Sequence, residues 1–222
     1  MVPKAFIFDL DGVITNTAKY HFEAWTALAK KHGFKFTEKD NDRLKGVSRT
    51  RSLEIILEIN NAENKFTEAE KQDMMTEKNN NYIELVKKIK PSDTLPGVSE
   101  FIANAKSAGI KVAVASASKN VFTVLKGLSM LDSFDYIADP SKISKPKPDP
   151  EVFLNCSEAL CINPDECIGF EDAQAGIESI HAAGMFAVGI GVEVVTEKPD
   201  LPLSSTAELS LEKILTAFKN GR

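Results

Sequence analysis

The stretch "KAFIFDLDGVITNT", residues 4–17, decides how the rest of the chain is read. Five of the six residues from Ala5 to Leu10 are apolar, which predicts a buried strand, yet the run ends in two carboxylates, Asp9 and Asp11, with Gly12 directly after them. Two negative charges beside a hydrophobic core call for compensation, because neighbouring carboxylates raise one another's pKa unless a cation intervenes.

Further apolar runs rich in Val, Ile and Phe recur along the chain: "IKVAVAS" (110–116), "FDYIA" (134–138), "ECIGF" (166–170) and "FAVGIG" (186–191). Amphipathic helical patterns separate most of them. Near-continuous apolar strands alternating with helices predict a doubly wound, mostly parallel α/β sheet covered on both faces. The stretch from 17 to about 88 breaks the alternation and reads as helix throughout. "TAKYHFEAWTALAKKHG" places Ala18, Phe22, Trp25, Leu28 and Ala29 on one stripe, with Gly33 as a stop after Lys31 and His32. "SRTRSLEIILEI" continues the pattern, as does "TEAEKQDMMTEKNNNYIELVKKI", which opens on the capping box Thr67 and Glu70. "KPSDTLPG" (90–97) ends it. The expected organisation is a core domain of residues 1–16 and 91–222 with a helical cap domain, 17–90, inserted after the first strand. The last segment, from "VEVVTEKP" onward, reads as a loop, a short strand and a closing helix.

Composition narrows the function classes. The chain of 222 residues has a net charge of -5 and no long basic tract, which argues against nucleic acid as a partner. No apolar run approaches the roughly 20 residues of a membrane span, and no leader pattern precedes the first strand, so a cytoplasmic protein is expected. Cys156, Cys161 and Cys167 are an odd number at spacings unlike a metal site and read as reduced thiols. "NCS" (155–157) matches a glycosylation sequon by chance on this reading. "GIGVEV" (189–194) lacks the third glycine of a dinucleotide loop and is set aside.

In open α/β sheets ligands bind beyond the carboxyl ends of the strands. "DLDG", "SASKN" (116–120) and "FEDAQAG" (170–176) all fall there. Asp9, Asp11, Glu171 and Asp172 form an oxygen-only donor set without His or Cys, which suits Mg²⁺. Ser116, the amides after it and a lysine of "SKPKPDPEVF" supply what a phosphate would need. A phosphoryl group facing an aspartate then suggests attack by the carboxylate, giving an aspartyl phosphate.

At this point a resemblance becomes specific. "FDLDGVIT" resembles the first motif of the haloacid dehalogenase superfamily, whose phosphotransferases carry Asp-x-Asp, a Ser or Thr after the second strand, a Lys before a helix and an acidic pair after the fourth strand. All four occur in order between residues 5 and 176. Within the superfamily, "TAKYHFEAWTALA", "LKGVSR", "KNNNY" and "ASASKN" resemble the β-phosphoglucomutases. The resemblance implies Asp9 as the phosphorylated nucleophile and Asp11 as general acid/base. It implies Mg²⁺ on Asp9, the Asp11 carbonyl and Asp172, with Glu171 as a further or supporting ligand. Ser116 and a lysine would hold the transferring phosphoryl oxygens. Arg49 would grip the distal phosphate, while Thr17, His21, Trp25, Lys45, Gly46, Val47, Ser52 and Lys78 would shape the sugar site. Ala117, Ser118, Lys119 and Asn120 would complete the phosphate contacts.

Two lysines compete, Lys145 and Lys147, each followed by proline. The family pattern places an aromatic six residues after the lysine, which Lys147 and Phe153 satisfy and Lys145 does not. Asn16 departs from the Asp often found at its position. Of the other histidines, His32 reads as a helix-end residue and His181 as lying without a polar cluster beside it.

The implied function is a mutase interconverting β-D-glucose 1-phosphate and glucose 6-phosphate through an aspartyl phosphate and β-glucose 1,6-bisphosphate. A cap that closes on the sugar would favour its hydroxyl over water. A sugar-phosphate phosphatase of the same superfamily is the alternative, and a non-catalytic sugar-phosphate-binding regulator is a third reading. Sugar phosphates are the expected partners, and a monomer is the expected state.

Overall fold

The computed structural model describes residues 2–44, 48–116, 118–191 and 196–221. Lys45, Gly46, Val47 and Ala117, expected at the sugar and phosphate sites, lie outside the described residues, as does all of "VEVV" after Gly191. In chain order the regular elements are β1 (Ala5–Phe8), α1 (Ala18–Lys31), α2 (Glu38–Asp42), α3 (Arg49–Ile59), α4 (Glu68–Val86), α5 (Val98–Ser107), β2 (Lys111–Val114), α6 (Val121–Gly127), β3 (Tyr136–Ile137), α7 (Glu151–Ala159), β4 (Cys167–Glu171), α8 (Gln174–Ala182), β5 (Phe186–Ile190), β6 (Leu201–Leu203) and α9 (Leu211–Asn220). They fall into two compact units, one of Met1–Asn16 with Lys90–Arg222 and one of Thr17–Ile89.

The first unit holds a six-stranded sheet of order β3-β2-β1-β4-β5-β6, every neighbouring pair parallel. β1 sits centrally, Ala5 opposite Lys111 on one side and Cys167 on the other, and all four of its residues are fully buried. Alternation along the strands sorts the two faces by size. Phe6, Phe8 and Phe170 point one way and pack with Phe101 of α5, Phe8 and Phe170 stacking at 4.5 Å between ring centres. Ala5, Ile7, Ala113 and Ala187 point the other way, toward Val152, Phe153, Ile177 and Ile180 of α7 and α8. Small residues there let helices approach closely: a Cβ on Gly169 would come within 2.6 Å of Ile180.

Because the chain runs from β1 to β2 and β3 on one side, then crosses to β4, β5 and β6 on the other, the direction of winding reverses at β1 and β4. Such a switch point opens a crevice at the carboxyl ends of the strands. Asp9, Ser116 and Asp172 each directly follow or closely trail one of these central strands, and Glu171 ends β4.

The second unit is helical, with a core of Trp25, Leu28, Leu53, Ile55, Ile56, Leu57 and Met74. The predicted α1 stripe is partly corrected. Trp25, Leu28 and Ala29 are buried, but Ala18, the first residue of the helix, is exposed; Tyr20 and Ala24 complete the buried face at four-residue spacing toward Leu28. Phe22 is half-buried against the Phe36 ring at 5.8 Å. Gly33 at φ +69 ends α1, a left-handed conformation that glycine adopts without a Cβ penalty. The Thr67 box forms on α4: Thr67 N donates to Glu70 Oε2 at 2.8 Å and Glu70 N to Thr67 Oγ1 at 3.3 Å. The same device at Thr37 and Asp40 starts α2. Among the described residues no helix is long and apolar enough to cross a membrane.

Candidate active site

Asp9 leaves the end of β1 with its amide bonded to Phe170 O (3.0 Å), so the backbone still follows the sheet while the side chain clears it. Its Oδ2 accepts from Asp11 N at 2.8 Å and its Oδ1 from Lys147 Nζ at 2.5 Å. Lys147 arrives from the loop before α7. Besides Asp9 it donates to Glu171 Oε1 at 2.6 Å and to Ala115 O at 3.1 Å, and its ammonium stands 5.0 Å from the Phe153 ring centre. One largely buried cation thus bridges the buried Glu171 carboxylate and the part-buried carboxylate of Asp9. Lys145, by contrast, is exposed and stands 3.5 Å from Asp149.

Glu171 has both oxygens engaged. Oε1 takes Lys147, and Oε2 accepts from the amides of Asp172 (2.9 Å) and Ala173 (3.0 Å). With a relative exposure of 2%, it is held between the lysine and the β4–α8 turn. Asp172 faces Gly12, where a Cβ would lie 1.9 Å from Asp172 Oδ2 and where φ is +80. Glycine is required there on both counts, which accounts for the "DG" step after the aspartate pair.

The electrostatics follow from this crowding. Burial, with the Glu171 and Asp11 charges added, raises the Asp9 carboxyl well above the usual carboxylate range against the opposing pull of Lys147. Asp172 reaches solvent at its edge, yet partial desolvation and the same neighbouring charges, Glu171 and Asp11, push it up to about 7. For Lys147 burial acts to lower the pKa, but the two carboxylates outweigh it and hold the ammonium above its ordinary value. The site carries more negative charge than its one lysine neutralises.

That surplus is what a hard divalent cation would relieve, and the donors on Asp9 and Asp172 are carboxylate oxygens of the kind Mg²⁺ takes. Among the described residues no group of three acidic, His or Cys side chains stands around one point. The fit therefore rests on the chemistry of these carboxylate donors, in keeping with an ion that retains several waters.

On the neighbouring strand end, Ser116 is 4% exposed and its Oγ accepts from Ser118 N at 3.2 Å. Asn120 is buried at the start of α6, and Lys119 is exposed.

The candidates of the helical unit form a cluster of their own. Lys78, 3% exposed, places Nζ 2.7 Å from His21 Nδ1, 4.9 Å from the Trp25 ring centre and 5.0 Å from that of Tyr82. His21 stacks on Tyr82 at 4.1 Å. An ammonium only donates, so Nδ1 accepts and the ring is neutral. Burial, then the Lys78 and Arg49 charges, lower the His21 pKa to about 3, in agreement. Arg49, half-buried at the start of α3, donates from Nη2 to Asn79 Oδ1 at 2.8 Å. Thr17 is buried at the N-cap of α1, and the Ser52 hydroxyl donates to Ser48 O at 3.0 Å.

Asn79 and Tyr82 lie within the quoted "KNNNY" but are not singled out as site residues by the sequence reading. The signal was available in the spacing: Tyr82 lies one helical turn beyond Lys78 on α4. His181 is a correction, since it does have a polar cluster. Its Nδ1 pairs with Glu197 and its Nε2 lies 3.2 Å from Asp200 Oδ2. Those partners come from a loop 16 and 19 residues further on, where no periodic pattern foretold contact.

Comparison with known proteins agrees with the fold. A sequence profile for the haloacid dehalogenase-like hydrolases matches residues 6–190. The chain is 46% identical over 219 residues to the β-phosphoglucomutase of Bacillus subtilis, covering 99% of this chain and 97% of that one. It is 30% identical over 219 residues to a phosphorylated carbohydrates phosphatase of Thermotoga maritima, covering 97% and 98%. A crystal structure of a β-phosphoglucomutase from Clostridium difficile superposes with a TM-score of 0.91 at 46% identity, over 100% of this chain and 99% of that one. The chain belongs to the haloacid dehalogenase-like hydrolase family.

Proposed function

We propose that the protein is a phosphotransferase of the β-phosphoglucomutase type, interconverting β-D-glucose 1-phosphate and glucose 6-phosphate. The observation that carries this reading is the 46% identity to the Bacillus subtilis β-phosphoglucomutase along nearly the whole of both chains, against 30% for the phosphatase relative. The geometry around Asp9 supports the chemistry.

In the proposed reaction a carboxylate oxygen of Asp9 attacks phosphorus, an aspartyl phosphate forms and the bond to the sugar oxygen breaks. Asp11 gives its proton to that departing oxygen. In the return step a sugar hydroxyl attacks the aspartyl phosphate while Asp11 takes the hydroxyl proton, and the Asp9 carboxylate is regenerated. The first donation to β-glucose 1-phosphate yields β-glucose 1,6-bisphosphate, and removal of the other phosphate leaves glucose 6-phosphate. Lys147, held by Glu171, neutralises charge where Asp9 and the phosphoryl oxygens meet, with the Ser116 hydroxyl as a further donor. Mg²⁺ on Asp9, Asp172 and the Asp11 carbonyl would neutralise charge on the transferring group.

The helical unit would bind the rest of the substrate. Arg49, steadied by Asn79, would take the phosphate that is not being transferred. His21, Trp25 and Lys78, with Thr17, Ser52 and the undescribed Lys45, Gly46 and Val47, would shape the sugar site. Ala117, Ser118, Lys119 and Asn120 would add phosphate contacts. We read the protein as a cytoplasmic monomer whose three cysteines stay free thiols.

The test is product partition. Purified protein with Mg²⁺, β-glucose 1-phosphate and a trace of the 1,6-bisphosphate should give glucose 6-phosphate without matching free phosphate. Free phosphate in stoichiometric amount would make it a phosphatase, and saturable binding without product a regulator.

A further inference from the structure

We propose that Gly176 is a positioning residue of the reaction site, acting through Glu171 on Lys147. The proposal rests on the reading of Asp9 and Lys147 above.

Gly176 is the third residue of α8, its amide bonded to Ala173 O at 3.1 Å. Its φ lies outside the left-handed region, so nothing in its backbone asks for glycine. Glycine weakens a helix relative to alanine, and the position is buried. The explanation is steric. A Cβ placed there would lie 1.9 Å from Glu171 Cδ, 2.0 Å from Oε1 and 2.4 Å from Cγ. Distances this short cannot be accommodated by small adjustments.

The side chain that would have to yield is fully engaged. Glu171 Oε1 receives Lys147 Nζ, and Oε2 receives the amides of Asp172 and Ala173. Any side chain at 176 therefore displaces the carboxylate and breaks the pairing that steers the ammonium. Lys147 would keep Asp9 and the Ala115 carbonyl but lose the partner that fixes it from the β4 side. The missing methyl of Gly176 is the space in which the Glu171 carboxylate sits.

A double-mutant cycle on the full-length chain tests this, using Gly176→Ala, Glu171→Ala and the pair. Removal of the Glu171 carboxylate removes the clash, so Gly176→Ala should have its effect only while Glu171 is present. The first readout is the backbone amide proton shifts of Asp172 and Ala173 in metal-free protein. Gly176→Ala should move both upfield, as Glu171→Ala does, and the pair should match Glu171→Ala alone. The second readout is kcat with β-glucose 1-phosphate and the bisphosphate. Gly176→Ala should lower it about 100-fold, the cost of a misplacement of about 1 Å, with little change in KM. Unmoved amides in Gly176→Ala, or a pair whose amide shifts differ from those of Glu171→Ala alone, would overturn the proposal. If the wild-type chain turns over no sugar phosphate, the reaction reading fails, and the amide cycle still decides what Gly176 does.

Discussion

Lowering the pH from 7 to 5 should weaken the helical unit through one residue, His21. Its ring accepts a hydrogen bond from Lys78 and stacks on Tyr82, which holds it neutral in the folded chain. Burial, with Lys78 and Arg49 nearby, brings its pKa down to about 3, whereas an unfolded histidine titrates at about 6.5. Between those values the unfolded chain binds a proton that the native chain refuses. Stability is therefore lost as pH falls below about 6.5, by about 1.4 kcal/mol per pH unit, and the loss levels off once the folded ring protonates. From pH 7 to pH 5 the difference is about 2 kcal/mol. His21→Asn cannot titrate, and the carboxylates common to both proteins cancel in the comparison. Urea unfolding followed by the fluorescence of Trp25, the single tryptophan and a buried member of this unit, reads the quantity directly. The wild type should lose about 2 kcal/mol more than His21→Asn between the two pH values. Equal losses would mean that His21 protonates as easily folded as unfolded, and the Lys78 contact would be refuted.

Two further outcomes follow from the site. Lys147→Met leaves the buried Glu171 and the part-buried Asp9 without their shared cation and should cost about 3–5 kcal/mol in the metal-free protein. Urea unfolding should show part of that loss restored when Glu171→Gln removes one of the two charges. Arg49→Ala should lower kcat/KM for β-glucose 1-phosphate by on the order of 30-fold, the equivalent of about 2 kcal/mol for a charge-assisted contact. Turnover of acetyl phosphate, which has no distal phosphate, should be unchanged, and equal losses on both substrates would remove Arg49 from that role.

The fold class was legible because burial on both faces leaves a plain mark. A central parallel strand has no solvent side, so "AFIF" and "CIGF" are apolar without alternation. Helix starts were legible where capping chemistry is local, as at Thr67. The choice between two lysines turned on spacing to Phe153, and the structure places Lys147 against that ring and on Asp9 while Lys145 stays in solvent. What stayed hidden depended on distance in sequence or on absence of atoms. α2 is too short to show a period. The partners of His181 come from a loop without pattern, and the role of Gly176 lies in a methyl group that is not there.

The central claim is that phosphate passes from Asp9 to a sugar in preference to water. Protein exposed to labelled β-glucose 1,6-bisphosphate, quenched in acid and digested should carry the label on the peptide containing Asp9. Chasing the labelled enzyme with unlabelled β-glucose 1-phosphate before the quench should move that label into hexose bisphosphate and glucose 6-phosphate. Asp9→Asn, folded as the wild type by circular dichroism, should acquire no label. Label that appears only as free phosphate, or that persists in Asp9→Asn, would contradict the account.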